Sequence, residues 1–306
     1  MELRHLRYFI AVAEEGSLTV AAEKRLHTAQ PSLSRQVRDL ELELGCDLFV
    51  RHARGVDLTA AGRVFLDHAR LVLLQVEAAR EAARRAARPA KGSFTNGFLT
   101  GQEVEWLPAI LSVLRDELPN TEVVIHSELS PVLAASLVRG RVDFAIMRRE
   151  AGAPGIEYRP LIREPLIAVL PRGHALARRH AVRPQDLSHD SLVGVPGATS
   201  PALRAVIDAY GETLGLDLTP RHYADNLSMT FSLVASTGGA ALLPLYARNL
   251  LPASVVARPL EGEAPTIELV LGYNTANPSS LLRFFLTRID ELVRRRASTT
   301  HEVAVH

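Results

Sequence analysis

The sequence predicts an α/β protein that opens with an all-α winged helix-turn-helix, continues through one long helix, and ends in a two-lobed α/β region. Three observations predict it. Apolar residues step by threes and fours through residues 3–44, broken near Gly16 and His27 into three short helices. A seven-residue apolar repeat then runs from Phe65 to Ala86. Beyond residue 93, short apolar runs alternate with helical patterns, which predicts βαβ units around a parallel sheet.

The first helix is predicted from Leu3, Leu6, Ile10 and Ala13, which share one face; Gly16 ends it. Ser17 is the natural N-cap of the next helix, Leu18–Arg25, where Ala21 and Ala22 allow close approach of a neighbour. After a turn at His27, with Thr28 as cap, the third helix is expected over Ala29–Leu44. Leu33, Val37, Leu40 and Leu44 form its buried stripe, Pro31 sits in its first turn, and Gly45 terminates it. The opposite face carries Gln30, Ser32, Ser34, Arg35 and Arg38, with Pro31 at its start. Arginine forks onto guanine, glutamine onto adenine, and a helix N-terminus favours phosphate, so this face suits a major groove. Two short helices before such a third form a helix-turn-helix. Phe49–Val56 then reads as a β-ribbon, or wing, placing Arg51 on a phosphate and Arg54 in a minor groove.

Thr59 caps the long helix, expected to reach about Arg88. Phe65, Ala69, Val72, Val76, Ala79, Ala83 and Ala86 lie on one seam of mean period 3.5, the pattern of a coiled coil with an identical helix. About thirty residues would span ~45 Å, too long for a helix lying on one small domain. Pro89-Ala90-Lys91-Gly92-Ser93 breaks it as a hinge.

In the α/β region, strands are predicted at Thr95–Leu99, Glu122–Ser127 and Val142–Met147, with helices at Leu107–Leu118 and Val132–Arg139 between them. A second set runs from Leu166–Leu170 through Ser191–Val195, Arg221–Ala224 and Ala240–Leu243, with helices at Ala202–Leu214 and Met229–Ser236. Glu268–Gly272 and a helix over Ser280–Arg296 close the chain. Ligands of such sheets sit outside the strands' carboxyl ends, against helix N-termini. Those ends present Thr100, Gly101, Ser130 (read as the cap before Pro131) and Arg148 in one lobe. Thr199, Ser200 and Asn226 stand in the other. Hydroxyls, helix N–H groups and one guanidinium suit a small carboxylate.

Composition narrows the function. The 306 residues are 47% hydrophobic and 23% charged, an ordinary globular balance, and net charge is +1, so attraction to nucleic acid must be local. Residues 1–92 hold 15 basic and 12 acidic residues, leaving 20 and 22 for the rest, so basic charge leans to the N-terminal third. No membrane-length apolar stretch or signal peptide is present, and the lone Cys46 excludes an intrachain disulfide framework; a cytoplasmic protein is expected. Cys46, beside Leu48 and Phe49, reads as a small core residue. His174, His180 and His189 lack metal-ligand spacing, Gly238-Gly239 lacks a phosphate-loop context, and no GxSxG elbow appears. No catalytic residue, metal or cofactor is therefore expected.

Leu6-Arg7-Tyr8-Phe9, Gly16-Ser17-Leu18-Thr19, Ala21-Ala22, Gln30-Pro31-Ser32-Leu33-Ser34, Leu40-Glu41, Leu44-Gly45, Leu48-Phe49, Arg51 and Leu58-Thr59-Ala60-Ala61-Gly62 resemble the DNA-binding domain of LysR-type transcriptional regulators. The likeness continues more weakly to about residue 296 and is nearest to members controlling catabolism of aromatic acids. It implies a winged DNA-binding domain at 1–58, a dimerising linker helix at 59–89, and an effector domain at 90–306. That domain would resemble periplasmic binding proteins, with lobe I at 93–163 and 269–296 and lobe II at 164–268. It implies a homodimer or homotetramer on a pseudo-palindromic double-stranded operator, contact with RNA polymerase, and no membrane. Family members often place a hydroxyl at the positions matching Ser130 and Thr100 or Gly101; glycine at 101 departs from those with serine there. Two other readings are a hydrolase or transferase with an attached DNA module, which lacks a nucleophile–base pair, and an architectural DNA protein, which the balanced charge disfavours.

Overall fold

The computed structural model describes residues 1–52, 55–86, 92–115, 121–187 and 191–294. The chain divides into two compact units, Met1–Ala86 and Ala87–His306.

In the first unit, α1 (Leu3–Glu15) ends at Gly16 in the left-handed region, as its sequence position requires. The Ser17 hydroxyl accepts from the Val20 N–H at 3.3 Å and starts α2 (Leu18–Val20), which widens into π-helical turns over Ala21–Leu26. His27, at φ +48, turns the chain. The third helix, α3, spans Gln30–Leu44, one residue later than expected; Ala29, not Thr28, holds the cap position, without a side-chain bond. Leu6, Phe9, Val12, Ala21, Ala22, Leu33, Val37 and Leu40 are buried together. The Phe9 ring lies 5.1 Å from both Phe49 and Phe65.

Strands β1 (Phe49–His52) and β2 (Gly55–Leu58) pair antiparallel, with Phe49 opposite Leu58. Gly55, at φ +152, lies so close to Gly16 that a Cβ would stand 2.4 Å from the Gly16 carbonyl oxygen. The Val56 N–H bonds that same carbonyl at 2.9 Å and pins the wing to the end of α1. Cys46 is exposed, contrary to the expectation of a core thiol. It follows the left-handed Gly45 that ends α3, and Leu48 and Phe49 take the core positions instead.

Thr59 caps α4 (Ala60–Ala86): its Oγ1 accepts from the Gly62 N–H at 2.9 Å. The apolar seam divides. Phe65 and Ala69 pack into the module's own core, whereas Val72 is 42% exposed and Ala79 and Ala83 are also exposed. Only the later seam faces outward, because Phe65, Leu66, Ala69 and Leu73 are consumed in the unit's own core. Residues 89–91 of the expected hinge lie outside the described residues, while Gly92 and Ser93 already belong to β3 (Gly92–Leu99).

The second unit holds a seven-stranded sheet. In chain order it comprises β3, α5 (Glu103–Leu114), β4 (Thr121–Glu128), α6 (Ser130–Val138), β5 (Phe144–Met147) and β6 (Ile156–Pro171). After the short α7 (Pro184–Leu187) come β7 (Val193–Gly194), α8 (Pro201–Leu214), β8 (His222–Tyr223) and α9 (Leu227–Thr237). Last are β9 (Ala241–Pro244), β10 (Val255–Pro259), β11 (Thr266–Asn274) and α10 (Ser280–Leu286). The strand order is β10-β6-β11-β5-β3-β4, with β9 beside β6. The expected all-parallel sheet is corrected: β3 pairs parallel with β4 and β5, but β6, β9, β10 and β11 pair antiparallel. The cause is topological, since the long strands β6 and β11 run in opposite directions through both apolar cores. Leu161 and Leu269 belong to one core, Leu166 and Ile267 to the other. The first half of β6 escapes the sequence pattern because Glu157, Arg159, Pro160 and Arg163 interrupt its apolar alternation. The closing helix is also divided: it turns at 287–288 and resumes over 289–294. There the Thr287 hydroxyl donates to the Phe284 carbonyl at 2.7 Å, a local bond that competes with helix continuation.

Candidate functional site

The outer face of α3 is the first candidate. Pro31, Ser32, Arg35 and Arg38 are exposed, and Gln30 and Ser34 are half-buried. The Arg35 side chain is 83% exposed and lies 3.9 Å from Asp39 at i+4, a spacing that leaves the guanidinium able to fork onto a base edge. With Leu33, Val37 and Leu40 buried behind it, the helix presents these polar groups on one side only.

The wing is anchored by a group the sequence did not single out for this role. Glu41, buried on α3, accepts the N–H groups of Leu48 at 2.9 Å and Phe49 at 3.1 Å, and its other oxygen meets Arg51 Nη2 at 2.9 Å. One carboxylate thus holds the end of the recognition helix to the start of the wing. Arg51, assigned to phosphate, spends part of its fork on Glu41 and keeps the rest at the surface. Arg54 lies outside the described residues.

The second candidate gathers at the ends of β3 and β5. Ser130 is buried and is the first residue of α6; Leu129 occupies the cap position, so the expectation of Ser130 as a helix cap is corrected. Its hydroxyl instead accepts from the Arg148 backbone N–H at 3.0 Å, tying α6 to the end of β5. The Arg148 side chain is also buried. Its Nη2 bonds Glu164 Oε1 at 2.5 Å, and its Nη1 is buried without a hydrogen-bond partner. Glu164, on β6, also accepts from Gln102 Nε2 at 3.4 Å and, through Oε2, from the Tyr246 N–H at 2.9 Å. Tyr246 closes the group: its ring lies 5.9 Å from the Arg148 guanidinium carbon, and its hydroxyl donates to the Thr100 carbonyl at 3.3 Å. Burial pushes the Tyr246 phenol well above its ordinary range, so it stays a neutral donor.

Thr100 is exposed beside this group, and Gly101 is buried at φ +93. A Cβ at Gly101 would stand 2.6 Å from Leu250 and 3.1 Å from Tyr246. Glycine here is what lets the β3 end approach Tyr246, and a serine would have to displace both neighbours. Leu227, at the start of α9, also lies against Gly101, which brings the neighbouring Asn226 toward the same region. Asn226 caps α9, its Oδ1 accepting from Met229 N–H at 2.9 Å and its amide donating to Asp225 at 2.8 Å. Thr199 and Ser200 stay within their own turn: the Thr199 hydroxyl donates to the Pro196 carbonyl at 2.9 Å, and both N–H groups bond that oxygen. Ser200 holds the cap position of α8 without a side-chain bond, leaving its hydroxyl available.

Gln102, Glu164 and Tyr246 were missed by sequence reasoning. The available signal was Glu164 itself, the carboxylate next to the apolar run Leu166–Leu170, whose burial demands a partner. Of the three histidines, His174 accepts from the Leu176 N–H at 3.2 Å, His180 is exposed, and His189 lies outside the described residues. Among the described residues no cluster of three metal-ligating side chains occurs, and no helix is long and apolar enough to cross a membrane.

Comparison with known proteins places both units. Residues 3–63 match the bacterial regulatory helix-turn-helix protein, lysR family, and residues 87–294 match the LysR substrate binding domain. The Hca operon transcriptional activator HcaR of Escherichia coli is 37% identical over 300 residues, covering 98% of this chain and all of that protein. The regulator AlsR of Bacillus subtilis is 31% identical, with 94% of each chain covered. Full-length BenM shares the fold at a TM-score of 0.58 and 26% identity over 97% of this chain and 98% of that one. Full-length CbnR, solved in complex with its target DNA, does so at 0.55 and 25% over 97% and 100%. With an exposed polar recognition helix, an anchored wing and a two-lobed domain matched end to end by regulators, the chain belongs to the LysR family of DNA-binding transcriptional regulators.

Proposed function

We propose that this regulator binds a pseudo-palindromic operator as a homotetramer and that a small carboxylate, aromatic or unsaturated, tunes its binding and its contact with RNA polymerase. The effector sits between Thr100 and Ser130 on one side and Thr199, Ser200 and Asn226 on the other, with Arg148 beneath. The observation that carries this reading is the buried Arg148 Nη1, a cationic donor without a hydrogen-bond partner, on the residue whose backbone N–H bonds the Ser130 hydroxyl. An unpaired buried donor costs free energy that an anionic acceptor removes. Effector binding shifts the population of lobe arrangements only in so far as the ligand prefers one of them.

The test is calorimetric titration of the full-length protein with a panel of aromatic and unsaturated carboxylic acids. For the acid that binds, Ser130→Ala should weaken affinity about three- to tenfold, the worth of one hydrogen bond. Operator binding by the unliganded variant should survive, since the DNA-binding unit is separate. A Ser130→Ala protein that binds the acid as tightly as the parent would overturn the placement.

A further inference from the structure

A cavity of about 670 Å³ opens in the second lobe, and Ser130, Arg148 and Glu164 do not line it. It lies among the turn Ala175–Arg178, the turn Leu245–Leu250 and strand β10. Five arginines and one histidine line it, Arg172, Arg178, Arg179, Arg248, Arg258 and His180, and among the described residues no carboxylate does. Its floor is apolar, with Ile167, Val255 and Ala257. In a chain whose net charge is +1, five guanidiniums around one cavity make a local cationic surface that favours an anion.

The guanidiniums are partly preorganised. Arg172 Nε donates to the Ala253 carbonyl at 2.9 Å, and Arg258 Nη1 donates to the Ala257 carbonyl at 2.7 Å. Those bonds orient two forks without neutralising them. Among the described residues Arg179 alone of the five has an acidic partner, Asp186 at 2.5 Å, which also serves Arg183. Among the described residues Arg178 and Arg248 pair with no acid.

We infer that this cavity binds a small molecule carrying two adjacent phosphoryl groups, either inorganic pyrophosphate or the diphosphate of a nucleotide. Several planar forks lining one cavity match tetrahedral, multiply charged phosphoryl oxygens, whereas a single carboxylate needs one fork. The volume lies within the range of small-ligand sites. The turn Leu245–Leu250 contributes Arg248 to this cavity and Tyr246 to the Glu164 group, so one short segment touches both places.

The experiment is calorimetric titration of the full-length protein with pyrophosphate, adenosine diphosphate and orthophosphate at fixed ionic strength. Pyrophosphate or adenosine diphosphate should bind at least about tenfold more tightly than orthophosphate, since two phosphoryl groups engage more forks. Tighter adenosine diphosphate binding assigns the site to nucleotides, and equal binding assigns it to the diphosphate alone. Arg178→Glu with Arg248→Glu, both at exposed positions, should weaken binding at least about tenfold. Arg35→Ala with Arg38→Ala should leave it unchanged. The inference is overturned by absence of heat with both diphosphates, by equal binding in the Arg178 and Arg248 variant, or by loss of binding in the Arg35 and Arg38 variant. It is likewise overturned if the Arg178 and Arg248 variant loses only operator affinity, which would give the arginines to the DNA backbone.

Discussion

Glu164→Gln tests whether the buried polar group joining β3, β5, β6 and Tyr246 holds the effector unit together. Gln is isosteric and keeps an acceptor for the Tyr246 N–H, so the change removes charge rather than shape. Both partners of the ion pair are about 95% buried, with side-chain exposures of 4% for Arg148 and 5% for Glu164, so solvent does little to screen the loss. Breaking a buried pair by neutralising one member costs ~3–5 kcal/mol, because the other charge is left uncompensated. The retained Tyr246 bond puts this case at the lower end, about 3 kcal/mol. For a unit of this size that corresponds to a drop of roughly 6–12 °C in melting temperature. Differential scanning calorimetry of the full-length protein reads it, with the transition of the DNA-binding unit as an internal standard. Adding Arg148→Met to Glu164→Gln removes the stranded charge and should restore more than half of the loss, because apolar replacement of a buried pair is often neutral. A Glu164→Gln melting temperature within about 2 °C of the parent, or a double variant less stable than the single one, would refute the reasoning.

Arg35→Ala should cost ~1–3 kcal/mol in operator binding and relax discrimination at one base pair, whereas Arg51→Ala should weaken all sequences alike; equal losses on operator and random DNA for both variants would remove Arg35 from base reading. Because Arg51 also pairs with buried Glu41, its variant should in addition melt earlier than the parent. Val72→Asp and Val76→Asp each put like charges into the outward seam of α4 and should abolish dimers, and unchanged mass by light scattering would refute pairing through that helix. Glu14 is held below the usual carboxylate range first by its bond to Arg70 and next by Arg25, which links α1 to α4 and to the π-helical turns. A depressed folded-state value gives stability that is present above the ordinary carboxylate range and lost as pH falls through the lowered one. Glu14→Gln should therefore flatten the acid limb of the DNA-binding unit's stability curve, and an unchanged limb in urea titrations at pH 3–6 would dismiss the link.

What the sequence determined by itself is what short-range periodicity and local chemistry control. The three helices of the first unit, the wing, the cap at Thr59 and the polar face of α3 are legible because each depends on residues within a few positions. The alternation of strands and helices is legible for the same reason. Only the tertiary structure decided that Phe65 and Ala69 are spent on the module's own core, that Ser130 reaches Arg148 rather than capping its helix, and that the sheet is mixed. It also decided the group around Glu164, whose partners Arg148, Gln102 and Tyr246 lie 16, 62 and 82 residues away along the chain. A buried carboxylate announces in sequence that it needs a partner, but any of the 35 cations could supply the charge. Which one does is set by the crossing of β6 between two cores, and that crossing is created by long-range packing rather than by local pattern.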